Sequence, residues 1–295
     1  MELNSEVITT PPRAAATVVM LRDTDEGSPG IEVFLLKRHS LSQVLGGAFV
    51  FPGGKVDLAD EQLDMDAHLD QPLDTLHRRM NEPMIEPLTA ASFYVAAIRE
   101  AFEESGILFA QGATASHADE AAALLKEGLT FSEMLAQMNL RLNSELLLPW
   151  SRWITPKVPS VTNKRFDTRF FVSAVPDTQI ARHDNFETTE SVWLRPRVAL
   201  EQYWEGKIEL APPQIMSLVG LVRHPSVASV MQAARSRLPP VIEPEPFDQD
   251  GSRVICYPGD ERHSVRTQAL PGPTRLIFKN KRFEPIRGFD SLFED

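Results

Sequence analysis

The segment Arg99-Glu100-Ala101-Phe102-Glu103-Glu104-Ser105-Gly106-Ile107 constrains the fold of this chain more than any other. The pattern from Thr89 to Ser105 is helical, with Tyr94, Val95, Ile98, Ala101 and Phe102 forming an apolar stripe and Gly106 standing where a C-terminal helix cap is favoured. At 100° per residue, with Glu100 as zero, Glu103 falls near 300° and Glu104 near 40°, opposite Tyr94, Ile98, Ala101 and Phe102 at about 100° to 200°. Three carboxylates on one turn, with neighbours roughly 5–6 Å apart, repel by about 0.8 kcal/mol per close pair in water and about 3 kcal/mol at an effective dielectric of 20. A divalent cation removes that penalty, and hard oxygen ligands favour magnesium, manganese or calcium over zinc. Taken alone, the cluster also reads as a solvated acidic face with Arg99 as a local ion-pair partner.

The surroundings of the cluster narrow the choice. Ala14 to Leu21, Ile31 to Arg38 and Ala48 to Phe51 read as strands, and the last ends at Pro52-Gly53-Gly54, where paired glycines let the backbone turn sharply and approach a ligand closely. Asp57 to about Pro87 is acidic and shows no periodic pattern, and its Glu82-Pro83 and Glu86-Pro87 steps disfavour continuous helix, so it reads as an insertion. Further along, His117 to Leu142 reads as amphipathic helix, and Trp150 to Thr155, Phe166 to Val175 and Ser191 to Leu194 as strands. Pro212 to Leu221 and Ser226 to Leu238 read as helices. Pro239 to Pro246 is expected to be a linker, followed by strands at Arg253 to Tyr257 and Thr274 to Phe283 with a turn at Asn280. The fold class is therefore mixed α and β.

With 30 basic and 41 acidic residues in 295, the chain carries a net charge of −11, which opposes attraction to nucleic acid or an anionic membrane. A polyanionic substrate would need a cation to mediate. Cys256 is the only cysteine, so the chain can form neither an internal disulfide nor a multi-thiolate zinc site. The histidines lack zinc-like spacing, and no Walker A loop, HExxH helix or Gly-x-Ser-x-Gly elbow is present. Met1 to Pro12 does not read as a targeting peptide, the chain ends in Phe293-Glu294-Asp295, and no apolar window approaches about 18 residues. The expected location is the cytoplasm.

The glycine pair and the glutamate helix together resemble the signature of the Nudix hydrolases: Gly, five residues, Glu, seven residues, then Arg-Glu-apolar-x-Glu-Glu-x-Gly-apolar. The second half matches from Arg99 to Ile107. The first half matches at Gly54, with Asp60 standing where the signature has Glu. Between Asp60 and Arg99 stand 38 residues where the signature has seven, an insertion of 31. The coenzyme A diphosphatase branch of the superfamily is interrupted at the same place. Further similarity to it lies in Leu35-Leu36-Lys37-Arg38, Val50 to Gly54, Arg165-Phe166-Asp167-Thr168-Arg169-Phe170-Phe171, Val192-Trp193-Leu194 and Leu210-Ala211-Pro212-Pro213.

The resemblance implies an α/β/α Nudix sandwich with a mixed sheet over residues 14–238, interrupted at about 61–91, preceded by a tail at 1–13 and followed by a C-terminal extension at 239–295. It implies Mg2+ or Mn2+ held by Glu100, Glu103 and Glu104 with the Gly53 carbonyl, and Arg99 orienting a glutamate. The general base would be Glu100, Glu187 or Glu190. Substrate would contact Gly54, Arg38 and Arg165, with Lys37 and Lys164 as further phosphate-binding candidates. The expected substrate is a nucleoside diphosphate linked to another group, coenzyme A or acyl-coenzyme A first. NADH, ADP-ribose and a non-catalytic nucleotide-binding regulator are the alternatives. No nucleic-acid or membrane partner is expected, and a homodimer is a possible assembly in which the extension forms a contact or covers the site.

Overall fold

The strands at the heart of the sheet are apolar on both sides, and the reason is visible in how their side chains divide. In the computed structural model, which describes residues 3, 6–24, 29–40, 42, 45–158, 164–183 and 188–294, strand β1 (Arg13–Asp23) sends Ala16, Val18 and Met20 to one face and Val19 and Leu21 to the other. Strand β2 (Ile31–Arg38) divides likewise, Phe34 and Leu36 against Val33 and Leu35. A sheet sandwiched between two cores reads as continuous apolar runs.

Two short strands follow, β3 (Phe49–Val50) and β4 (Gly53–Lys55). Next come three short helices, α1 (Leu58–Glu61), α2 (Met65–His68) and α3 (Leu73–Met80), and then the long helix α4 (Pro87–Ser105). After α5 (Ala115–Lys126) and α6 (Phe131–Gln137) the chain returns to the sheet as β5 (Leu148–Ile154), β6 (Phe166–Ala174) and β7 (Thr188–Leu194). Helices α7 (Pro196–Trp204), α8 (Pro212–Leu221) and α9 (Val227–Ser236) precede β8 (Val241–Ile242). A second sheet is built from β9 (Glu245–Gln249), β10 (Ser252–Cys256), β11 (Arg275–Lys279) and β12 (Arg282–Pro285).

The main sheet is mixed, in the order β3-β2-β1-β6-β5-β8, with β4 on β1 and β7 on β2. β1 runs parallel to β6 from Arg13↔Phe166 to Leu21↔Ala174. Its opposite edge is shared: β2 takes the far end, and β4 takes Ala15 to Thr17 with Ala16↔Gly54 and Thr17↔Gly53 in register. One face is covered by α3 to α6 and the other by α7 to α9 together with the second sheet. Among the described residues no helix is long and apolar enough to cross a membrane.

Helix α4 ends as the sequence predicts, at Gly106 in the left-handed region (φ 72°), a conformation that costs other residues more. It is buried on nearly every side, from Ala90 to Ser105, rather than along one stripe alone. The 57–87 stretch departs from its expected lack of pattern. Leu63, Met65, Leu69, Leu76 and Met80 are all buried in the first core. Helices of four to eight residues each bury one or two side chains, too few to generate a visible period.

The segment is tied down by charge as well. Glu82 takes two contacts from Arg169, at 3.0 Å and 2.6 Å, and one from Arg152 at 2.8 Å, while Arg152 also holds Asp167 at 2.8 Å and 2.7 Å. Arg169 on β6 and Arg152 on β5 thus anchor the insertion to the sheet, with Asp167 of β6 holding both. The expected single helix across 117–142 is broken between α5 and α6, where Gly128 has φ 100° and Thr130 caps α6. The expected linker is structured: Val241 and Ile242 pair in parallel with Arg152 and Trp153. Ile242, Ile255, Tyr257, Leu276 and Phe283 enter the second core, so the C-terminal extension shares its core with the sheet it covers.

Candidate active site

The glycine bend and the glutamate turn meet. β4 lies along β1, and α4 packs its apolar side chains on the same stretch of sheet, so the two sequence-distant halves of the motif close on each other. The Gly53 N–H donates to Glu104 Oε2 at 2.8 Å, and Glu104 is buried. A Cβ on Gly54 would lie 2.5 Å from Glu100 Cδ and both its carboxylate oxygens. Position 54 is therefore glycine because the Glu100 carboxylate occupies the space a side chain would need.

Arg99 holds the assembly together. Its Nε and Nη2 form a two-pronged pair with Asp60 at 2.8 Å and 2.9 Å, Nη1 donates to Glu100 at 2.8 Å and to Glu103 at 3.1 Å, and Nη2 also reaches the Lys55 carbonyl at 3.0 Å. Asp60 is 2% exposed and accepts the Asp57 N–H at 2.8 Å, which closes the first turn of α1 in a capping box. Asp in place of Glu thus supports the loop fully, because α1 brings it within direct reach of Arg99. Burial works against the charge on Arg99. The Asp60 hydrogen bond and the charges of Glu100, Asp60 and Glu103 outweigh it and raise its pKa. Burial also raises the Glu103 carboxyl, an effect that Arg99 partly offsets and that Asp60 and Asp57 reinforce.

Among the described residues no group of three His, Cys, Asp or Glu side chains is gathered as a ready metal cage. The reason is geometric: Arg99 draws Glu100 and Glu103, and the Gly53 N–H draws Glu104. The donor set nevertheless fits a hard divalent ion. It consists of carboxylate oxygens from one helical turn, Glu100 lies on the wall of an open cavity, and the Glu103 side chain is 40% exposed.

The cavity beside Glu100 measures about 370 Å³. Of the residues named from sequence, Arg38, Lys164, Gly53 and Gly54 line it, and Arg13, Lys55 and Gln214 join them. These three were not singled out from sequence, since nothing local distinguishes them. The nearest signal was Leu210-Ala211-Pro212-Pro213, which sets Gln214 on the first turn of α8. Glu103 faces a separate cavity of about 560 Å³ that includes Phe102, Leu125, Arg182 and His183.

Two expected residues lie elsewhere. Arg165 is buried and committed to structure: Nε donates to the Thr155 carbonyl at 2.9 Å and Nη1 to the Thr10 carbonyl at 3.4 Å, with Nη2 3.6 Å from Glu243. Its neighbour Lys164 lines the cavity instead. Glu190 sits opposite Lys37 on β7, with 3.3 Å between their charged groups. The Lys37 ammonium lies 5.7 Å from the Phe49 ring, which belongs to the second core. Cross-strand partners share a face, so Glu190 lies on the side of the sheet away from α4. Glu187 lies outside the described residues.

An α/β/α sandwich in which a glycine bend grips the glutamate turn of a buried helix defines the class as a Nudix hydrolase. The chain belongs to the NUDT19 Nudix domain family, whose model matches residues 12–221. Among curated relatives it is 33% identical over 224 residues to the acyl-coenzyme A diphosphatase NUDT19 of Xenopus laevis, covering 63% of this chain and 58% of that one. It is 26% identical over 305 residues to the protein of the same name in Homo sapiens, covering 87% and 78%. Among solved structures it resembles a NUDIX hydrolase from Alicyclobacillus acidocaldarius at 27% identity, with a TM-score of 0.61 over 78% of this chain and 98% of that one.

Proposed function

We propose that this Nudix hydrolase cleaves the diphosphate bond of coenzyme A or an acyl-coenzyme A, with Mg2+ or Mn2+, in the cytoplasm. The observation that carries the reading is the Glu100–Glu103–Glu104 turn locked against Gly53-Gly54 beside a cavity with four cationic side chains and one carboxylate among its described lining residues. The names of the Xenopus and human relatives support coenzyme A as the first substrate to test.

Glu100, Glu103, Glu104 and Gly53 would hold the metal, which when bound cancels charge on the phosphates and acidifies a water. The chain's own residues do the rest. Arg38, with Arg13, Lys55 and Lys164, binds the anionic end of the substrate. Glu100 accepts the proton of the attacking water. In-line attack at one phosphorus then expels the other phosphate. Arg99, pinned by Asp60, keeps the glutamates in place and does not touch substrate.

The test is a panel of coenzyme A, acetyl-coenzyme A, NADH and ADP-ribose, each with Mg2+ and with Mn2+, followed by phosphate-ester analysis. Coenzyme A thioester or free coenzyme A is expected to turn over fastest, and Glu103→Gln to lose at least about 100-fold while keeping its melting temperature. Preference for NADH or ADP-ribose would reassign the substrate. Tight nucleotide binding without turnover would make the protein a regulator.

A further inference from the structure

Gln214 lines the cavity beside Glu100 and carries an unanswered acceptor. The residue is 7% exposed, and its buried Oε1 accepts no hydrogen bond. Its position is rigid: Pro212 and Pro213 open α8, and the Phe49 N–H holds the Glu209 carbonyl at 2.8 Å, fixing the approach to the helix against β3. A buried polar group left in this way carries its full desolvation penalty, which a ligand would relieve.

The rest of the cavity indicates what kind of ligand this is. Arg13, Arg38, Lys55 and Lys164 supply positive charge, whereas Phe51 and Phe166 supply flat apolar wall. The occupant therefore has an anionic part and a planar part. A carboxamide presents a donor and an acceptor side by side, which matches an edge carrying the same pair in reverse. The amino group and adjacent ring nitrogen of adenine form such an edge, and glutamine pairs with it through two hydrogen bonds. An extended secondary amide points its N–H and C=O in opposite directions and would answer only half of Gln214.

We propose that Gln214 reads the adenine base of the substrate, with the cations of the same cavity holding its phosphates. This deepens the diphosphatase reading and rests on it for the placement of the phosphates. The base contact can be measured without turnover, by calorimetric titration with ADP and with purine riboside 5′-diphosphate, which lacks the amino group, in the presence of Mg2+. The full chain is expected to bind ADP about tenfold more tightly than the purine analogue. Gln214→Leu should abolish the difference by weakening ADP alone, and Gln214→Glu, which keeps the acceptor, should retain part of it. Equal affinity of the unaltered protein for the two diphosphates would overturn the proposal with no variant needed. So would Gln214→Leu weakening both ligands equally. Base preference without hydrolysis of any diphosphate would overturn the diphosphatase reading and leave the base contact standing.

Discussion

A single methyl group at Gly54 should separate the chemistry of this site from its folding. The Cβ of an alanine there would lie 2.5 Å from the Glu100 carboxylate atoms, whereas ordinary van der Waals contact begins near 3.4 Å. The carboxylate must therefore retreat by about 0.9 Å, taking its 2.8 Å bond to Arg99 with it. The atoms displaced are the far end of a flexible side chain, so the fold should absorb the change. A misplacement of about 1 Å at a reacting group costs about 100-fold in rate, or about 2.7 kcal/mol of transition-state stabilisation. Gly54→Ala is thus expected to melt close to the unaltered protein and to lose about 100-fold in metal-dependent kcat/KM. Gly53→Ala makes the contrast: its Cβ would meet the Ala16 carbonyl oxygen, the Thr17 hydroxyl and the Thr17 Cα at van der Waals overlap. Those atoms include backbone of the central strand, and the expected result is a lower melting temperature. Full activity in Gly54→Ala, measured beside its melting curve, would refute the assignment of Glu100 to the reacting centre.

Glu82→Ala removes the common partner of Arg169 and Arg152 and leaves Arg169, 5% exposed, with Asp167 at 3.0 Å as its remaining carboxylate. Leaving buried guanidinium donors without these partners should cost about 1–3 kcal/mol in denaturant unfolding, and a loss below about 1 kcal/mol would show that the insertion is not anchored there. Cys256 is buried and its thiol is pushed up to about 11, by burial first and then by Asp260 and Glu245. The folded state therefore holds its proton where the unfolded thiol, with its ordinary value of 9.0, gives it up. That contribution is complete below about pH 9 and is lost as pH rises through about 11. At pH 8 the native thiol should react with a maleimide far more slowly than the denaturant-unfolded one, and equal rates would contradict its burial.

Much of the site was legible because its parts are local. The spacing of Glu100, Glu103 and Glu104 fixes them on one turn whatever surrounds the helix, and Gly106 marks where that helix stops. Arg38 and Lys164 line the cavity, each at a strand end or just before one. Two residues expected at the site have other partners in the sheet. Arg165 donates to the Thr155 carbonyl while its neighbour Lys164 lines the cavity, and Glu190 pairs with Lys37 across β2 and β7. Side-chain direction along an extended chain alternates with a period of two, so the register must be known before a residue can be given a face. Short helices in the insertion and the β8 strand escaped for a related reason, since they are stabilised by what they pack against rather than by their own pattern.

The linear chain by itself determined the chemistry on offer: a helical turn of three carboxylates, a glycine pair, and the sequence family that joins them across an insertion. Periodicity and residue type are properties of a few consecutive residues, and they survive in the sequence intact. Only the tertiary structure decided that the Glu100 carboxylate fills the space beside Gly54, that Asp60 answers Arg99 across 38 intervening residues, and that Gln214 lines the same cavity from a helix more than a hundred residues away. Those are distances between elements brought together by burial of two cores on one sheet, and burial is a property of the whole folded chain.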